Sequence, residues 1–203
     1  MSRRLTQRGK ERRAQLIEYA VQRFAADGYH PTSVADIVDG LGVGKGVFYW
    51  YFSSKEELFV EILRTSQKDL RRRQQRAITD VEDPVQRVEL GIRAGVAWMA
   101  EHNDHRRLFE FARTESTFAA SMRAGQSVLV ADAVVHLKEA IVEGRIPDSD
   151  PEALALAILG VTNQLTNVYI DGRGEDPEHV ADLAVAFCMH GLGVTSAAGS
   201  AGS

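Results

Sequence analysis

The sequence predicts an all-α protein in which an N-terminal three-helix helix-turn-helix domain is joined by a long helix to a larger C-terminal helical domain. Apolar residues recur at helical spacing in almost every segment, and no run of alternating β-branched residues predicts a strand. Asp-Pro pairs mark three later helix starts. With 203 residues, 44% of them apolar, the chain is long enough to bury a sizeable core.

The first predicted helix covers residues 10–27, where Ile17, Val21 and Phe24 lie on one apolar stripe. Gly28 follows at the position where a left-handed residue commonly ends a helix. The sequence therefore predicts an amphipathic helix with a sharp end.

Residues 33–52 read SVADIVDGLGVGKGVFYWYF and predict two short helices with a tight turn between them. Ser33 is a natural N-cap for a helix over 34–40. Gly42 supplies a turn conformation that residues with a Cβ avoid. The second helix, over 44–50, has small residues at its start, so it is slim enough to enter a major groove.

A long helix over 54–76 is predicted to begin with a capping box between Ser54 and Glu57. The C-terminal part then continues in helices, and the Ala/Gly/Ser-rich tail at 195–203 is expected to be disordered. The expected domains are 1–55 and 56–194, followed by that tail. The later helices are predicted over 84–101, 103–113, 117–143, 151–170 and 177–192.

Charge is distributed unevenly along a chain whose net charge is −4. Residues 1–76 hold 15 Lys and Arg against 9 Asp and Glu, whereas residues 77–203 hold 9 against 19. This asymmetry indicates that the first part meets a polyanion such as nucleic acid.

The cellular compartment is predicted from three further features. Cys188 is the single cysteine, which cannot form an intrachain disulfide and suits a reducing compartment or a buried apolar position. The longest strongly apolar run, 153–161, is shorter than the ~18 residues of a membrane span. The basic N-terminus lacks an apolar segment typical of a signal peptide. A cytoplasmic protein without a membrane partner is expected.

Over residues 10–62 the sequence closely resembles the DNA-binding domain of the tetracycline-repressor (TetR) family. The resemblance implies a homodimer that binds a palindromic double-stranded operator as a repressor, and a C-terminal domain that senses a small-molecule effector. No cofactor and no metal are expected. The resemblance rests on Ile17, Phe24, Gly28, Tyr29, Thr32, Ser33, Val34, Asp36, Ile37, Gly42, Val43, Gly46, Tyr49, Phe52, Lys55 and Leu58.

The family pattern also implies which residues touch DNA. Tyr49 fits a phosphate contact or a packed aromatic, and Trp50 fits DNA contact or packing on the fourth helix equally well. Gly44 departs from the Ser or Thr that is frequent in the family at the start of the recognition helix. The implied DNA-binding residues are Thr32, Ser33, Lys45, Gly46, Val47, Tyr49, Trp50, Tyr51 and Lys55.

The effector site and the dimer interface are expected in the last 120-odd residues. Apolar stripes on the last two helices fit a four-helix bundle with a partner, or ordinary packing within one chain. The stripes consist of Leu154, Ala157, Ile158, Val161 and Leu165 on one helix and Val180, Leu183, Ala184 and Phe187 on the other. Asn163, Gln164 and Asn167 lie on an apolar helix, where they fit either an effector or amide pairs across a dimer axis. The effector-binding candidates are Trp98, Phe109, Arg113, Phe118, Met122, Gln126, His136, Asn163 and Asn167.

Three further clusters of polar residues stand out in the sequence. The N-terminal arginines and Lys10 form either a solvated tail or a flexible arm that reaches the minor groove. The arginines at 71–73 with Arg76 suit a solvated face. Glu101, His102, Asp104 and His105 resemble metal ligands but more closely suit a solvated turn.

Other classes of protein are less consistent with the sequence. An enzyme is disfavoured because phosphate-binding glycine loops, a nucleophile elbow and zinc-protease motifs are missing. A non-specific architectural DNA protein is disfavoured by the acidic balance. The sequence does not separate a ligand-released repressor from an activator or a constitutive repressor.

Overall fold

A computed structural model describes residues 6–194, and within them the regular structure is helical, with no β-strand. The all-α prediction is confirmed, and the expected helices occur at their places with ends shifted by a few residues at most. The elements are α1 (Gln7–Asp27), α2 (Val34–Gly40), α3 (Lys45–Tyr51), α4 (Lys55–Ala77), α5 (Pro84–Glu101), α6 (Asn103–Thr114), α7 (Ser116–Val142), α8 (Pro151–Leu165), a π-helical turn (Thr166–Asp171) and α9 (Pro177–Gly191).

Helix ends follow the local chemistry of the chain. Gly28 ends α1 with φ of +88°, a conformation that few residues other than glycine adopt. Asp83 accepts hydrogen bonds from the first backbone N–H groups of α5, and Asp150 does the same for α8. The capping box of α4 is spread over two serines: Ser54 accepts from the backbone of Glu57, whose carboxylate accepts from Ser53.

The N-terminus of α1 corrects one expectation. Thr6 caps a helix that begins at Gln7, so the basic residues from Arg8 to Arg13 lie on α1 rather than on a flexible arm. Arg13 is bound to Glu61 at 2.5 Å. Arg3 and Arg4, and the tail at 195–203, lie outside the described residues.

The described residues pack into two compact units. The first comprises the chain up to Gln67 together with Asp104–Arg123, and the second comprises Lys68–Asn103 together with the chain from Ala124. Packing therefore assigns most of α6 and the start of α7 to the unit that holds the helix-turn-helix, rather than to the C-terminal part. Helices α4 and α7 each contribute residues to both units.

The second unit is built mainly by α5, α8 and α9 with the later part of α7. Its core includes Ile92, Leu137 and Ala184, and Cys188 is buried there with the pKa of its thiol raised to about 11 by burial. The single cysteine is thus a buried thiol that stays protonated at neutral pH.

Helix α8 and the π-helical turn form one apolar stretch, Pro151–Asp171, of 21 residues. Its most apolar window has a mean hydropathy of 1.4, so by length and composition alone it could cross a membrane. The unbroken run 153–161, on which the sequence expectation rested, is therefore shorter than the apolar stretch in the structure. Asn163 and the fully buried Thr166 are polar residues within the stretch, and 11% of its most apolar window is buried inside the chain.

Candidate DNA-binding surface and effector cavity

The turn between α2 and α3 is built from a strong cap and two glycines. Ser33 accepts a hydrogen bond from the backbone of Asp36, and the Asp36 carboxylate accepts from the Ser33 backbone and hydroxyl at 2.7 Å each. These bonds lower the pKa of Asp36. Gly42 turns the chain with φ of +63°. A Cβ on Gly40 would lie 1.9 Å from the Tyr19 hydroxyl, so glycine at this position leaves room for the Tyr19 side chain of α1.

Helix α3 has a buried face and an exposed face of different composition. Phe48 is fully buried and Phe52, just after the helix, is 2% exposed. Tyr49 and Trp50 point the other way and are 56% and 62% exposed, beside the exposed Lys45. Helix α3 thus combines an apolar anchor with a surface of aromatic rings and hydrogen-bond donors.

The remaining predicted DNA-binding residues differ in how exposed their side chains are. Gly46 and Ser33 are exposed, whereas Val47 and Tyr51 are half-buried. Thr32 is 2% exposed, and its hydroxyl donates to the Gly28 carbonyl at 2.8 Å. Its side chain therefore ties the turn after α1 together, and a phosphate contact through this hydroxyl does not agree with the structure.

Lys55, at the first turn of α4, is bound inside the first unit. Its ammonium group donates to the backbone carbonyls of Tyr29 and Thr32 at 2.9 Å each, and lies 4.3 Å from the centre of the Tyr29 ring. The segment between α1 and α2 is thereby fastened to α4. Sequence reasoning missed this role because it depends on carbonyl groups more than 20 residues away.

An aromatic cluster forms the core of the first unit. The rings of Tyr29, Phe59, Phe111 and Phe118 contact one another, and the Phe59 and Phe118 centroids are 4.4 Å apart. Burial and the nearby Glu56 carboxylate raise the pKa of the Tyr29 hydroxyl. The cluster fixes α6 and the start of α7 to α4.

Four of the predicted effector residues belong to this first unit and do not line the cavity of the second unit that is described below. Phe109 and Phe118 are buried core side chains, and the Met122 sulfur accepts from the Gln67 amide at 3.5 Å. Arg113 is exposed. Phe109 and Phe118 thus fill the core of the first unit, as large apolar side chains on a helix commonly do.

A cavity of about 450 Å³ lies wholly within the second unit, between α4, α5, α7 and α8. Of the sequence candidates, His136 and Asn163 line it. Trp98 does not: its indole N–H donates to Asp69 at 2.9 Å. Gln126 and Asn167 also lie outside the lining. The walls are mainly aliphatic and include Ile78, Val88, Ile92, Val130, Ile158 and Leu159.

Sequence reasoning missed two arginines that line this cavity. Arg71 makes a bidentate contact with Asp132, and Arg87 binds Glu139 at 2.5 Å. Both arginines were assigned no effector role, because the sequence does not show that α4 and α5 turn them toward the same space. Burial, followed by the positive charge of Arg87, lowers the pKa of His136.

The last two helices retain an exposed apolar face. Leu156 on α8 is 45% exposed, and Leu183 and Phe187 on α9 are 37% and 65% exposed. Val180 and Ala184, on the same predicted stripe, are fully buried in the chain itself. Val161 is half-buried against the core of the second unit. The stripe thus serves intrachain packing in part.

The acidic and histidine cluster near the end of α5 has internal partners. Glu101 pairs with Arg73 at 2.6 Å, and the His102 ring stacks on Trp98 at 4.4 Å. Among the described residues, no group of three or more His, Cys, Asp or Glu side chains is arranged to hold a metal ion. Arg71 and Arg73 are likewise in ion pairs, so residues 71–73 are not simply a solvated face.

Two family profiles match this chain and together cover most of it. The profile described as "Bacterial regulatory proteins, tetR family" matches residues 16–62. The profile described as "Tetracyclin repressor-like, C-terminal domain" matches residues 81–192, more than half of the chain. The first match contains the helix-turn-helix.

The chain is similar to proteins that are named as transcriptional regulators. The transcriptional activator FasR of Mycolicibacterium smegmatis is 33% identical over 191 residues, 90% of this chain and 83% of that protein. The HTH-type transcriptional regulator YdgC of Bacillus subtilis is 26% identical over 194 residues, 91% of this chain and 94% of that protein. The structure of the ketosteroid transcriptional regulator KstR2 of Mycobacterium tuberculosis superposes with a TM-score of 0.71 at 25% identity, covering 91% of this chain and 96% of that one. The chain belongs to the TetR family and is a DNA-binding transcriptional regulator.

Proposed function

We propose that the protein is a homodimeric cytoplasmic repressor that binds a palindromic operator through α3 and leaves it when a small-molecule effector enters the second unit. The exposed face of α3 carries the proposal. Tyr49 and Trp50 are more than half exposed beside Lys45, although large aromatic side chains are usually buried. Their hydroxyl, indole and ammonium donors suit phosphate oxygens and base edges.

The exposed apolar face of α8 and α9 supports a dimer. Contiguous exposed apolar side chains commonly mark a protein interface. A two-fold axis would place Leu156, Leu183 and Phe187 of each chain on the same patch of its partner. Two recognition helices related by that axis would read two half-sites of a palindrome.

The cavity supports control by a small molecule. Its volume of about 450 Å³ falls in the range of ~300–1,000 Å³ typical of ligand sites. Helices α4 and α7 line it and also contribute residues to the first unit, so a change in their position is transmitted along continuous helices. An effector that prefers one conformation would weaken operator binding, and the operator would weaken effector binding by the same factor.

Activation is the second candidate outcome, since FasR, a relative along nearly the whole chain, is an activator. A reporter gene downstream of the operator distinguishes the two. Deleting the regulator raises expression if the protein is a repressor and lowers it if the protein is an activator.

Selection of operator fragments from random DNA by the purified protein tests the DNA-binding part. Tyr49→Ala and Trp50→Ala should lower affinity for the selected palindrome, whereas Val142→Ala, exposed on α7 of the second unit, should leave it unchanged. Failure to enrich any sequence, or equal binding by all three variants, would refute the assigned surface.

A further inference from the structure

The charged groups around the cavity are already paired with one another. The Arg71 guanidinium contacts both carboxylate oxygens of Asp132, one of them at 2.9 Å. Arg87 donates to Glu139 at 2.5 Å and to two backbone carbonyl groups at 2.7 Å each. An anionic ligand would therefore have to displace an existing carboxylate to reach a cation.

In contrast to these paired charges, two polar residues of the cavity lining each have a buried atom without a partner in the described part of the chain. His136 and Thr162 line the cavity, and His136 Nδ1 and Thr162 Oγ1 are buried without a hydrogen-bond partner among residues 6–194. The charged groups that act on His136 are Arg87, Glu139 and Asp132; burial and Arg87 dominate and lower its pKa, which favours a neutral imidazole. A neutral imidazole and a hydroxyl can each donate or accept one hydrogen bond.

We propose that the cavity takes an uncharged, largely apolar molecule with a hydroxyl or carbonyl oxygen, and that His136 and Thr162 are the polar partners of that oxygen. The inference rests on the proposed effector function of the second unit. A carboxylate would lose its hydration without gaining a free cation, which is costly in an apolar site. A plain hydrocarbon would leave both buried polar atoms without a partner.

Displacement of the uncharged dye Nile red from the full-length protein by 1-decanol and by decanoate tests the inference, because these probes share a chain and differ in charge. At neutral pH, decanol should displace the dye with an affinity about tenfold higher than that of decanoate, or more. Thermal stabilisation by each probe without dye provides a second readout.

Three substitutions test the inference: Thr162→Val and His136→Leu test the assigned partners, and Asp132→Asn tests the preference for an uncharged molecule. Thr162→Val keeps the side-chain shape and removes the hydroxyl, so it should weaken decanol binding by roughly two- to tenfold and leave decanoate unchanged. Asp132→Asn removes the counter-charge of Arg71, so it should strengthen decanoate binding relative to decanol. His136→Leu replaces Thr162→Val as the test if the latter fails to fold by circular dichroism.

The outcomes separate this inference from the proposed function. Decanoate binding as tightly as decanol would overturn the uncharged class while leaving an effector cavity in place. Unchanged decanol affinity in a folded Thr162→Val protein and in His136→Leu would overturn the assigned partners. Absence of dye binding and of stabilisation by either probe would overturn the effector site itself.

Discussion

The two compact units use apolar side chains in opposite ways. In the first unit, the rings of Phe59, Phe111, Phe118 and Tyr29 close on one another. In the second unit, aliphatic side chains surround a cavity of about 450 Å³. The first unit has a core of rings packed against one another, and the second unit leaves space that its own residues do not fill.

The two kinds of packing have different consequences for how easily each unit can change its conformation. The aromatic core joins α1, α4, α6 and the start of α7, and Lys55 fastens the segment between α1 and α2 to α4. The unit that presents α3 is therefore held by contacts among its own side chains. A cavity forfeits packing contacts along its walls. An occupant can restore those contacts, which gives a ligand a direct means of stabilising one conformation of the second unit.

The largest expected effect is loss of stability when the closed core is opened. Phe59→Ala should lower the free energy of unfolding by about 3–5 kcal/mol, because Phe59 contacts four other aromatic rings. Leu159→Ala, on the half-buried cavity wall, should cost less than about 2 kcal/mol since it already borders empty space. Urea denaturation measures both, and equal losses would contradict the contrast between the units.

A smaller effect is expected at the exposed face of α9. Phe187→Asp should weaken dimerisation by about 2–4 kcal/mol if Phe187 is a central interface residue, and monomers should appear in sedimentation at micromolar concentration. Val142→Asp, at a residue 87% exposed on α7, is the control and should leave association unchanged. Wild-type protein that sediments as a monomer would refute the dimer.

Val161→Asp, which the sequence pattern suggests as an equivalent test, has a different expected outcome. Val161 packs half-buried against the core of its own unit, so a charge there should destabilise the fold as well as any interface. A folded, dimeric Val161→Asp protein would contradict this placement.

The helix ends were predicted well from sequence because the residue that caps each helix lies directly beside that helix in the chain. Asp83 and Asp150 stand directly before their helices and cap them, and Gly28 directly follows α1. The start of α1 was placed too late, because Thr6 and Gln7 carry no apolar periodicity and their helix is recognised only by its cap.

Sites were predicted less well because they depend on which helices meet. The motif placed Tyr49 and Trp50 among the DNA-binding residues and left packing as the alternative for each, and the structure shows both side chains more than half exposed on α3. Phe118 was assigned to an effector site, yet it belongs to the aromatic core of the first unit. Arg71 was assigned to solvent, yet it pairs with Asp132 across 61 residues of sequence at the cavity wall.

A substitution at Lys55 distinguishes a contact with DNA phosphate from a structural role inside the first unit. Lys55→Met keeps the aliphatic stem and removes the ammonium that binds the Tyr29 and Thr32 carbonyls, so it should lower the free energy of unfolding by about 1–3 kcal/mol. Operator affinity should fall with little change in its salt dependence, because no phosphate contact is lost. A flatter salt dependence with unchanged stability would instead place Lys55 at the DNA.

The smallest expected effect is at Lys45, the exposed lysine at the start of α3. Lys45→Ala should leave the unfolding free energy nearly unchanged, because the side chain makes no core contact. It should also reduce the slope of log affinity against log salt by roughly 1, the value for one lost phosphate contact. Lys138→Ala, an exposed lysine on α7, is the matched control and should leave the slope intact. Operator titrations by fluorescence anisotropy at several salt concentrations give both slopes. If Lys45→Ala and Lys138→Ala had the same slope, Lys45 would not touch phosphate, and α3 would contact DNA through its aromatic residues alone.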